Sequence, residues 1–248
     1  MPEHDTRTRD VVIVGAGPSG SAVATILARA GLDVEILERE AFPRYRVGES
    51  LIPYSWFSLE RLGVLDRMKS ASFAIEKKSV QFASTDGTHV TPFYFSSHTD
   101  HDCARTWQIR RDEFDRMLVD HAVEQGASVR FETSVRDLVT EGERIVGVRT
   151  DDGEIRARLT VDASGRDLFA VNRLDWRTPD PTLRKIAVWS YFKGARRDMG
   201  DDEGATTIAY LPDKGWFWFI PLADDLASVG VVADRAYLYR DLQQRDPE

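Results

Sequence analysis

The stretch Asp10-Val-Val-Ile-Val-Gly-Ala-Gly-Pro-Ser-Gly20 determines how the rest of this chain is organised. Its apolar run, Val11–Val14, is typical of a strand that is buried on both faces of a parallel sheet. The run leads directly into the pattern Gly15-x-Gly17-x-x-Gly20, after which apolar residues recur at helical spacing. Strand, glycine-rich turn and helix in this order predict a βαβ unit that binds a dinucleotide.

Each glycine of the pattern has a separate task. Gly15 permits the tight turn, Gly17 lets the backbone approach a pyrophosphate, and Gly20 allows the helix to pack closely against the strand. The start of the helix, which includes Ser19, then presents free N–H groups and the positive end of its dipole to the phosphates. A glycine-rich turn without a ligand is the alternative interpretation.

A second apolar strand, Val34–Leu37, follows the predicted helix and ends at Glu38. A carboxylate in this position accepts both hydroxyls of an adenosine ribose and repels a 2′-phosphate. The sequence therefore predicts that Glu38 holds the ribose of the dinucleotide.

Composition and charge exclude several classes of partner. The 248 residues carry a net charge of −8, with 42% hydrophobic and 30% charged residues. This acidic balance argues against nucleic acid or an anionic membrane as the main partner. The single cysteine, Cys103, excludes an internal disulfide and predicts a cytoplasmic location. No apolar run approaches the roughly 20 residues of a membrane span, and Met1–Asp10 lacks a signal-peptide core.

Hydrophobic periodicity predicts an α/β fold with a Rossmann-like domain, containing a parallel sheet, and a second domain with an antiparallel sheet. Helices are expected over Leu51–Leu62, over Asp112–Gln125 and from Tyr237 to Gln244. The predicted organisation is a disordered lead-in (1–9), a dinucleotide-binding domain (10–170) with a hairpin excursion (73–101), and a partial antiparallel-sheet substrate domain (171–248).

The histidines of two segments are predicted to have neither a metal-binding nor a catalytic role. The loop His98-x-x-His101-x-Cys103 contains metal-ligand residue types, but a tetrahedral site needs about four ligands. A solvated loop without a metal is therefore expected. His121 lies on the apolar stripe of its helix and is predicted to be half-buried, with its hydrogen bonds satisfied.

Several motifs together resemble known flavoproteins. Those that resemble FAD-dependent oxidoreductases of the p-hydroxybenzoate hydroxylase fold are residues 10–38, Arg111-x-x-Phe114-Asp115 and Asp162-Ala-x-Gly165-Arg166. Those that resemble the flavin-dependent halogenase family within that fold are Pro43-Arg44-x-x-x-Gly48-Glu49-Ser50 and Trp216-x-Trp218-x-Ile220-Pro221. The resemblance extends over the chain from residue 10 onward.

A lysine motif adds to this resemblance. Lys77 lies where the halogenase family has a KxGxxF pattern with its active-site lysine. In this chain Ser79 replaces the glycine of that pattern, and the adjacent Lys78 is the alternative candidate.

The resemblance implies an enzyme that uses FADH2, O2 and halide to halogenate an electron-rich aromatic substrate, either free or tethered to a carrier. A separate NAD(P)H-dependent flavin reductase would supply the FADH2. Lys77 would hold the hypohalite as a haloamine or orient it by hydrogen bonding. Trp216 and Trp218, which alternate along a strand and so face the same side, would keep substrate away from the flavin, whereas core packing is the alternative.

The resemblance also implies a set of cofactor contacts. It comprises Gly15, Gly17, Ser19, Gly20, Glu38, Arg39, Gly48, Ser50, Gln108, Arg111, Val135 and Asp162. The third FAD motif of the family, a Gly-Asp followed by a proline-bearing loop, is expected beyond residue 248. The chain is therefore expected to be the amino-terminal half to two-thirds of such an enzyme.

Two other interpretations stay open at this point. One is a non-halogenating FAD enzyme of the same fold, such as a geranylgeranyl-reductase-like enzyme or an aromatic hydroxylase. The other is a flavin-binding remnant without catalytic activity. Pyrrole, phenol, indole and carrier-tethered substrates are all compatible with the motifs.

Overall fold

The computed structural model describes residues 8–212 and 215–239, which form two compact units. The described part of the first unit comprises residues 8–47, 62–64 and 111–178, and that of the second comprises residues 48–61, 65–110, 179–212 and 215–239. Residues 1–7 of the expected lead-in lie outside the described residues, and Arg9 already belongs to the first strand.

The secondary structure elements are numbered along the chain. The strands are β1 (Arg9–Val14), β2 (Val34–Leu37), β3 (Ala74–Lys77), β4 (Ser79–Ala83), β5 (Val90–Tyr94), β6 (Thr106–Ile109), β7 (Ser128–Arg130), β8 (Val135–Glu141), β9 (Arg144–Thr150), β10 (Gly153–Asp162), β11 (Lys185–Lys193), β12 (Thr206–Leu211), β13 (Gly215–Pro221) and β14 (Leu226–Asp234). The helices are α1 (Pro18–Arg29), α2 (Ser55–Leu62), α3 (Leu65–Lys69), α4 (Arg111–Glu124), α5 (Phe169–Arg173) and α6 (Arg235–Leu238). No helix in the described ranges is long and apolar enough to cross a membrane.

The first unit is built on a mixed sheet with the strand order β7-β2-β1-β10-β9-β8. Strand β1 pairs in parallel with β2 on one side and with β10 on the other, and β9 and β8 continue the sheet antiparallel. Because β1 is central, both of its faces are covered, which explains its continuous apolar run.

The two faces of this sheet belong to separate apolar clusters. Val11 and Ile13 of β1 pack with residues of α1 and α4, including Ala24, Ala28 and Val119. The alternate residues of β1 face the other way and pack against β9, β10 and α5. That second cluster contains Val12, Val14, Leu37, Val148, Ile155, Ala157 and Phe169.

The helix predictions differ from the structure mainly at their first residues. The helix predicted from Leu51 begins at Ser55, and the residues before it pair with β6 instead: Ser50 forms a β-bridge with Gln108, and the N–H of Leu51 donates to the carbonyl of Trp107. Helix α4 closely matches its prediction and is followed by Gly126, whose φ of 106° suits a glycine after a helix. The helix predicted from Tyr237 is only partly described, as α6, and residues 240–244 lie outside the described residues.

The second unit contains a sheet with the strand order β11-β14-β13-β12-β4-β5 and a two-stranded sheet of β3 and β6. Its strand pairs are antiparallel except for β12 with β4, where Thr206 lies beside Val80. The predicted fold class, a Rossmann-like α/β unit and a second unit that is mainly antiparallel, is confirmed. The sheet of the first unit is parallel from β7 to β10 and antiparallel from β10 to β8.

The division into units differs from the predicted boundary between residues 170 and 171. Strands β4 and β5 lie in the predicted hairpin excursion, and they extend the sheet of the second unit because β4 pairs with β12. The chain therefore passes between the units several times, since residues 48–61 and 65–110 belong to the second unit.

The first prediction concerns Gly147 in β9. Its φ is 152°, and a Cβ there would lie 2.2 Å from the carbonyl oxygen of Ile155 in β10. We expect Gly147→Ala to lower the free energy of unfolding by about 1–3 kcal/mol, because the strand pair must open to admit the methyl group. Urea denaturation followed by circular dichroism measures this change.

The control variant is Gly142→Asn in the turn between β8 and β9. Gly142 has a φ of 62° and nothing within 4 Å of an added Cβ, and asparagine tolerates this conformation. If Gly147→Ala and Gly142→Asn unfold at the same urea concentration, the close contact at Gly147 does not constrain the sheet.

Candidate functional site

The glycine-rich turn joins β1 to α1, and backbone atoms lie very close to two of its glycines. Gly15 has a φ of 103°, and a Cβ at this residue would lie 2.6 Å from the carbonyl oxygen of Ala163. A Cβ at Gly20 would lie 2.0 Å from the carbonyl oxygen of Gly15. Both glycines are therefore required by the packing of the turn itself.

Gly17 differs from its neighbours because the space beside it is open. A Cβ at Gly17 would meet only the Nη2 atom of Arg44, at 3.8 Å. Gly17 is the N-cap of α1, and among the described residues no side chain caps the helix and no acid lies in its first turn. The N–H groups of this twelve-residue helix are therefore available to an anionic group such as a pyrophosphate.

Glu38 follows β2 and lies beside the same turn. Its side chain is buried, and Oε2 accepts a hydrogen bond from the N–H of Ala16 at 3.0 Å. Oε1 accepts from the N–H of Glu40 at 3.0 Å, and Arg44 Nη2 lies 3.3 Å from Oε2. The carboxylate is thus held next to the glycine turn, where a ribose diol of a dinucleotide fits.

Arg44 and Asp115 extend this cluster, and sequence reasoning assigned them no role. Arg44 Nη1 donates to Asp115 Oδ2 at 2.8 Å, and Arg111 donates from Nε to Oδ1 at 2.7 Å and from Nη2 to Oδ2 at 3.0 Å. Arg111 also donates to the carbonyl of Val47 at 2.8 Å. The signal for this cluster was present in the motif Arg111-x-x-Phe114-Asp115, where one helical turn separates arginine from acid.

One buried donor of this cluster lacks a hydrogen-bond partner among the described residues, which bears on whether FAD fits beside the glycine turn. The Nε of Arg44 is buried and has no hydrogen-bond partner within the described part of the chain. Buried donors are normally paired, so this atom can take an acceptor that the described residues do not supply, such as a phosphate oxygen. The open side of Gly17, the uncapped α1 and the Arg44 donor together fit the phosphates of FAD.

The remaining predicted cofactor residues of the first unit have varied surroundings. Arg39 is exposed and pairs with Asp167 at 2.9 Å. Asp162 accepts the N–H groups of Ser164 at 3.0 Å and Ala170 at 2.7 Å, so its carboxylate caps the turn after β10. Val135 begins β8 and packs against the cluster around Val148. Ser19 is exposed in the first turn of α1. Their contacts with the cofactor stay predictions.

The two candidate lysines of the second unit have opposite environments, because successive residues of a strand point to opposite faces. Lys77, at the end of β3, is 2% exposed, and its Nζ donates to Ser50 Oγ at 2.8 Å and to the carbonyl of Leu51 at 2.9 Å. Burial lowers the pKa of Lys77 to about 8. Lys78 pairs with Asp201 at 2.9 Å, and hydrogen bonds to Asp201 and Glu76 raise its pKa.

Ser50 and Gln108 lie in the second unit and share a partner that the sequence did not reveal. Ser50 Oγ lies 2.8 Å from Thr206 Oγ1, and Gln108 Nε2 donates to the same oxygen at 2.8 Å. Gly48, also in this unit, has a φ of 116° in the loop before Ser50. Cofactor contacts by these residues stay predictions.

The tryptophans of β13 lie on one face of their sheet. In the strand register, Trp216 lies opposite Tyr210 and Trp218 opposite Ile208, so both tryptophans share the face that carries Thr206. Trp218 is 8% exposed, packs with Ile220 and donates from Nε1 to Ser228 Oγ at 3.1 Å. Trp216 is less buried. Trp218 therefore has a packing role, whereas Trp216 keeps an accessible ring.

The histidines differ partly from their predictions. His98 and His101 are exposed, but Cys103 is buried, and its N–H donates to Nδ1 of His101 at 3.0 Å. The expected solvated loop is therefore packed at its cysteine. His121 is buried rather than half-buried because α4 packs on α1, and its Nε2 lies 2.8 Å from the carbonyl oxygen of Leu62.

Comparison with known proteins places these features among flavoproteins. The FAD binding domain family matches residues 8–224. A flavin-dependent halogenase of Armillaria mellea is 38% identical over 95% of this chain and 46% of its own length. The 1H-pyrrole-2-carbonyl-[peptidyl-carrier protein] chlorinase of Pseudomonas fluorescens is 33% identical over 95% of this chain and 57% of its own length.

The same likeness holds in three dimensions. The structure of the myxobacterial chondrochloren halogenase superposes with a TM-score of 0.81 at 34% identity, covering 95% of this chain and 55% of that one. The chain spans about half the length of the curated relatives it matches. FAD as the cofactor and the resemblance to flavin-dependent halogenases are confirmed by these comparisons.

The second prediction separates binding from packing at the glycine turn. We expect Gly17→Ala to keep the stability of the chain but to weaken FAD binding by about tenfold or more, because the methyl group occupies the open side of the turn. Gly20→Ala, its matched control, is expected to lose stability, since its Cβ meets a carbonyl oxygen at 2.0 Å. Flavin fluorescence titration and thermal denaturation report the two effects. Unchanged FAD affinity in Gly17→Ala would contradict the assignment.

The third prediction concerns the residue beneath Trp218. A Cβ at Gly230 in β14 would lie 2.3 Å from Cζ2 of the Trp218 indole. We expect Gly230→Ala to displace this ring and change the near-ultraviolet circular dichroism of the chain, with a loss of about 1–3 kcal/mol in stability. Val231→Ala, at the adjacent position whose side chain points to the opposite face, is the control. Identical aromatic spectra for Gly230→Ala and wild type would contradict the packing role.

Proposed function

We propose, on the premise that the chain belongs to the FAD binding domain family, that it forms the FAD-binding and lysine-bearing part of a flavin-dependent halogenase. The observation that carries the proposal is the burial of Lys77 in the second unit, where its pKa is lowered to about 8. Lysine is seldom buried without a paired charge, so such a lysine in a flavoprotein indicates a functional group.

The first unit provides the proposed cofactor site. FAD, when bound and reduced, supplies the activation of O2 with which halide is oxidised to hypohalite. The N–H groups at the start of α1 would bind the pyrophosphate, and Glu38 would accept the ribose hydroxyls. Arg44 balances the buried carboxylates of Glu38 and Asp115, so the site keeps its shape and charge when the phosphates are bound.

Lys77 is the proposed group that receives the halogen. With a pKa of about 8, about a tenth of its side chains carry a neutral amine at pH 7, against about one in three thousand for an ordinary lysine. The lone pair of the neutral amine can attack the halogen of hypohalous acid: an N–halogen bond forms, the O–halogen bond breaks, and hydroxide leaves as water with a proton from the amine. The protonated form would instead orient hypohalite by hydrogen bonding. Trp216, which lies on the same sheet face as Thr206, would keep the aromatic substrate away from the flavin.

The proposed substrate is an electron-rich aromatic ring, such as a pyrrole or a phenol. A pyrrole bound to a peptidyl-carrier protein is the substrate named for relatives in Pseudomonas fluorescens and Pseudoalteromonas luteoviolacea. Halide, O2 and a separate NAD(P)H-dependent flavin reductase are the proposed co-reactants. A reducing cytoplasm is the proposed location, in keeping with the unpaired thiol of Cys103.

The fourth prediction tests this function with the two lysines as a matched pair. The chain is incubated with FAD, a flavin reductase, NADH, O2 and bromide, and with either a carrier-bound pyrrole-2-carbonyl thioester or a free phenol. We expect a product with the mass and isotope pattern of bromine. Lys77→Met should reduce its rate by about a hundredfold or more, whereas Lys78→Met should leave the rate close to that of wild type.

The pH dependence distinguishes the two roles proposed for Lys77. If the neutral amine takes the halogen, the rate of halogen transfer should increase as pH rises through about 8 and then level off, whereas it should fall over the same range if the ammonium orients hypohalite. Hydroxylated or reduced products that are independent of bromide would indicate a non-halogenating FAD enzyme. Equal rates for Lys77→Met and wild type would remove Lys77 from the mechanism.

A further inference from the structure

A chain of hydrogen bonds leads from the amino group of Lys77 through side chains that are distant in the sequence. Ser50 Oγ accepts a hydrogen bond from Lys77 Nζ and lies 2.8 Å from Thr206 Oγ1. Gln108 Nε2 donates to Thr206 Oγ1 at 2.8 Å and to the carbonyl of Gly204 at 2.8 Å. Lys77, Gln108 and Thr206 are buried, whereas Ser50 between them is partly exposed.

The number of acceptors around Lys77 matches a neutral amine. A lysine ammonium has three N–H donors, whereas a neutral amine has two donors and one lone pair. The described residues offer Nζ two oxygen acceptors, Ser50 Oγ and the carbonyl of Leu51. The ring of Phe95 also lies near the amine, with its centroid 5.4 Å from Nζ, and this contact favours the ammonium form. The two oxygens thus satisfy the donors of the neutral form.

The charged side chains on the surrounding elements interact with groups other than Lys77. Glu49, next to Ser50, accepts from the hydroxyl of Tyr191 at 2.6 Å. Asp202 accepts from Ser79 Oγ at 2.8 Å and from the Tyr94 hydroxyl at 2.8 Å. Two further neighbours, Asp201 and Glu76, pair with Lys78. Within the described residues, burial is the cause that lowers the pKa of Lys77, and no charged partner opposes it.

We infer that Ser50, Thr206 and Gln108 are positioning residues that fix the Lys77 amino group through two N–H donors and leave its lone pair free. Gln108 orients Thr206, Thr206 orients the Ser50 hydroxyl, and Ser50 holds the amine. This role differs from the cofactor contact predicted for Ser50 and Gln108. Its meaning for halogen transfer rests on the proposed function, whereas the positioning itself does not.

The hydrogen-bond chain affects the titration of Lys77 in a defined direction. An acceptor stabilises an ammonium more than a neutral amine, because a charge-assisted hydrogen bond is stronger. Either hydroxyl can donate in the Ser50–Thr206 hydrogen bond. With Ser50 O–H as the donor, which the inference requires, the Ser50 oxygen is a better acceptor. Loss of either oxygen should therefore lower the pKa of Lys77 further, although Thr206 does not touch the lysine.

The fifth prediction is tested by nuclear magnetic resonance on the 248-residue chain labelled with ¹³C at lysine Cε. Lys77→Met and Lys78→Met assign the two resonances. In the wild type we expect a Lys77 midpoint at about pH 8 and a Lys78 midpoint above that of an ordinary lysine. Thr206→Val and Ser50→Ala should each lower the Lys77 midpoint by about half a pH unit or more.

Two control variants make the result specific. Thr206→Ser keeps the hydroxyl and should keep the wild-type midpoint. Thr207→Val removes the adjacent hydroxyl, which lies on the other face of β12 and 3.4 Å from Gln81 Oε1, and should also leave Lys77 unchanged. If Thr206→Val fails to fold, the midpoint of the Lys77 titration in Ser50→Ala tests the inference alone.

The inference is overturned if the wild-type Lys77 titrates like an ordinary lysine, or if neither Thr206→Val nor Ser50→Ala moves its midpoint. An equal shift in Thr207→Val would also overturn it, because the effect would then reflect general loosening of β12. The titration needs neither FAD nor turnover. A shifted midpoint without halogenation would therefore reject the proposed function and keep the positioning role.

Discussion

A carboxylate buried between two guanidinium groups holds the cofactor end of the first unit together. Asp115 is inaccessible to solvent and accepts hydrogen bonds from Arg44 and Arg111. Arg44 also donates a hydrogen bond to Glu38, whose carboxylate accepts a hydrogen bond from the N–H of Ala16 in the glycine turn. Removing the Asp115 carboxylate would take from both guanidinium groups the partner that they share, and breaking a buried pair in this way costs about 3–5 kcal/mol. The network thereby connects α4, the loop after β2 and the start of α1.

Burial of a lysine is the corresponding constraint in the second unit. A lysine in an apolar site loses hydration that its few hydrogen bonds replace only in part, so its charged form is disfavoured. The cost is tolerated because the rest of the side chain packs and the amine has two fixed acceptors, Ser50 and Leu51. A nitrogen lone pair in a site with little water would suit the proposed halogen transfer, since hypohalite there would be less exposed to competing nucleophiles.

The sequence predicted the features that depend on neighbouring residues. The order of strand, glycine turn, helix and strand is local, and Gly15, Gly20 and Glu38 lie where that pattern implies. It did not predict partners that meet only after folding. Arg44 and Asp115 are 71 positions apart, and Ser50 and Thr206 are 156 apart. The assignment of residues 48–61 and 65–110 to the second unit likewise depends on the pairing of β4 with β12, which no local pattern indicates.

The burial of Lys77 rather than Lys78 depends on a non-local strand pairing. Adjacent strand residues face opposite sides, so the sequence requires that the two lysines differ but does not say which one is buried. The pairing of β3 with β6 places Lys77 opposite Thr106 and turns its side chain inward.

The serine that replaces the expected glycine at position 79 is accommodated in the same region. Ser79 is buried, and its hydroxyl donates to Asp202 at 2.8 Å, so the added polar group is paired. Asp202 therefore accepts hydrogen bonds from Ser79 and Tyr94 and does not pair with Lys77. The departure from the family pattern is thus compatible with an uncharged amine, because the nearby acid is already occupied.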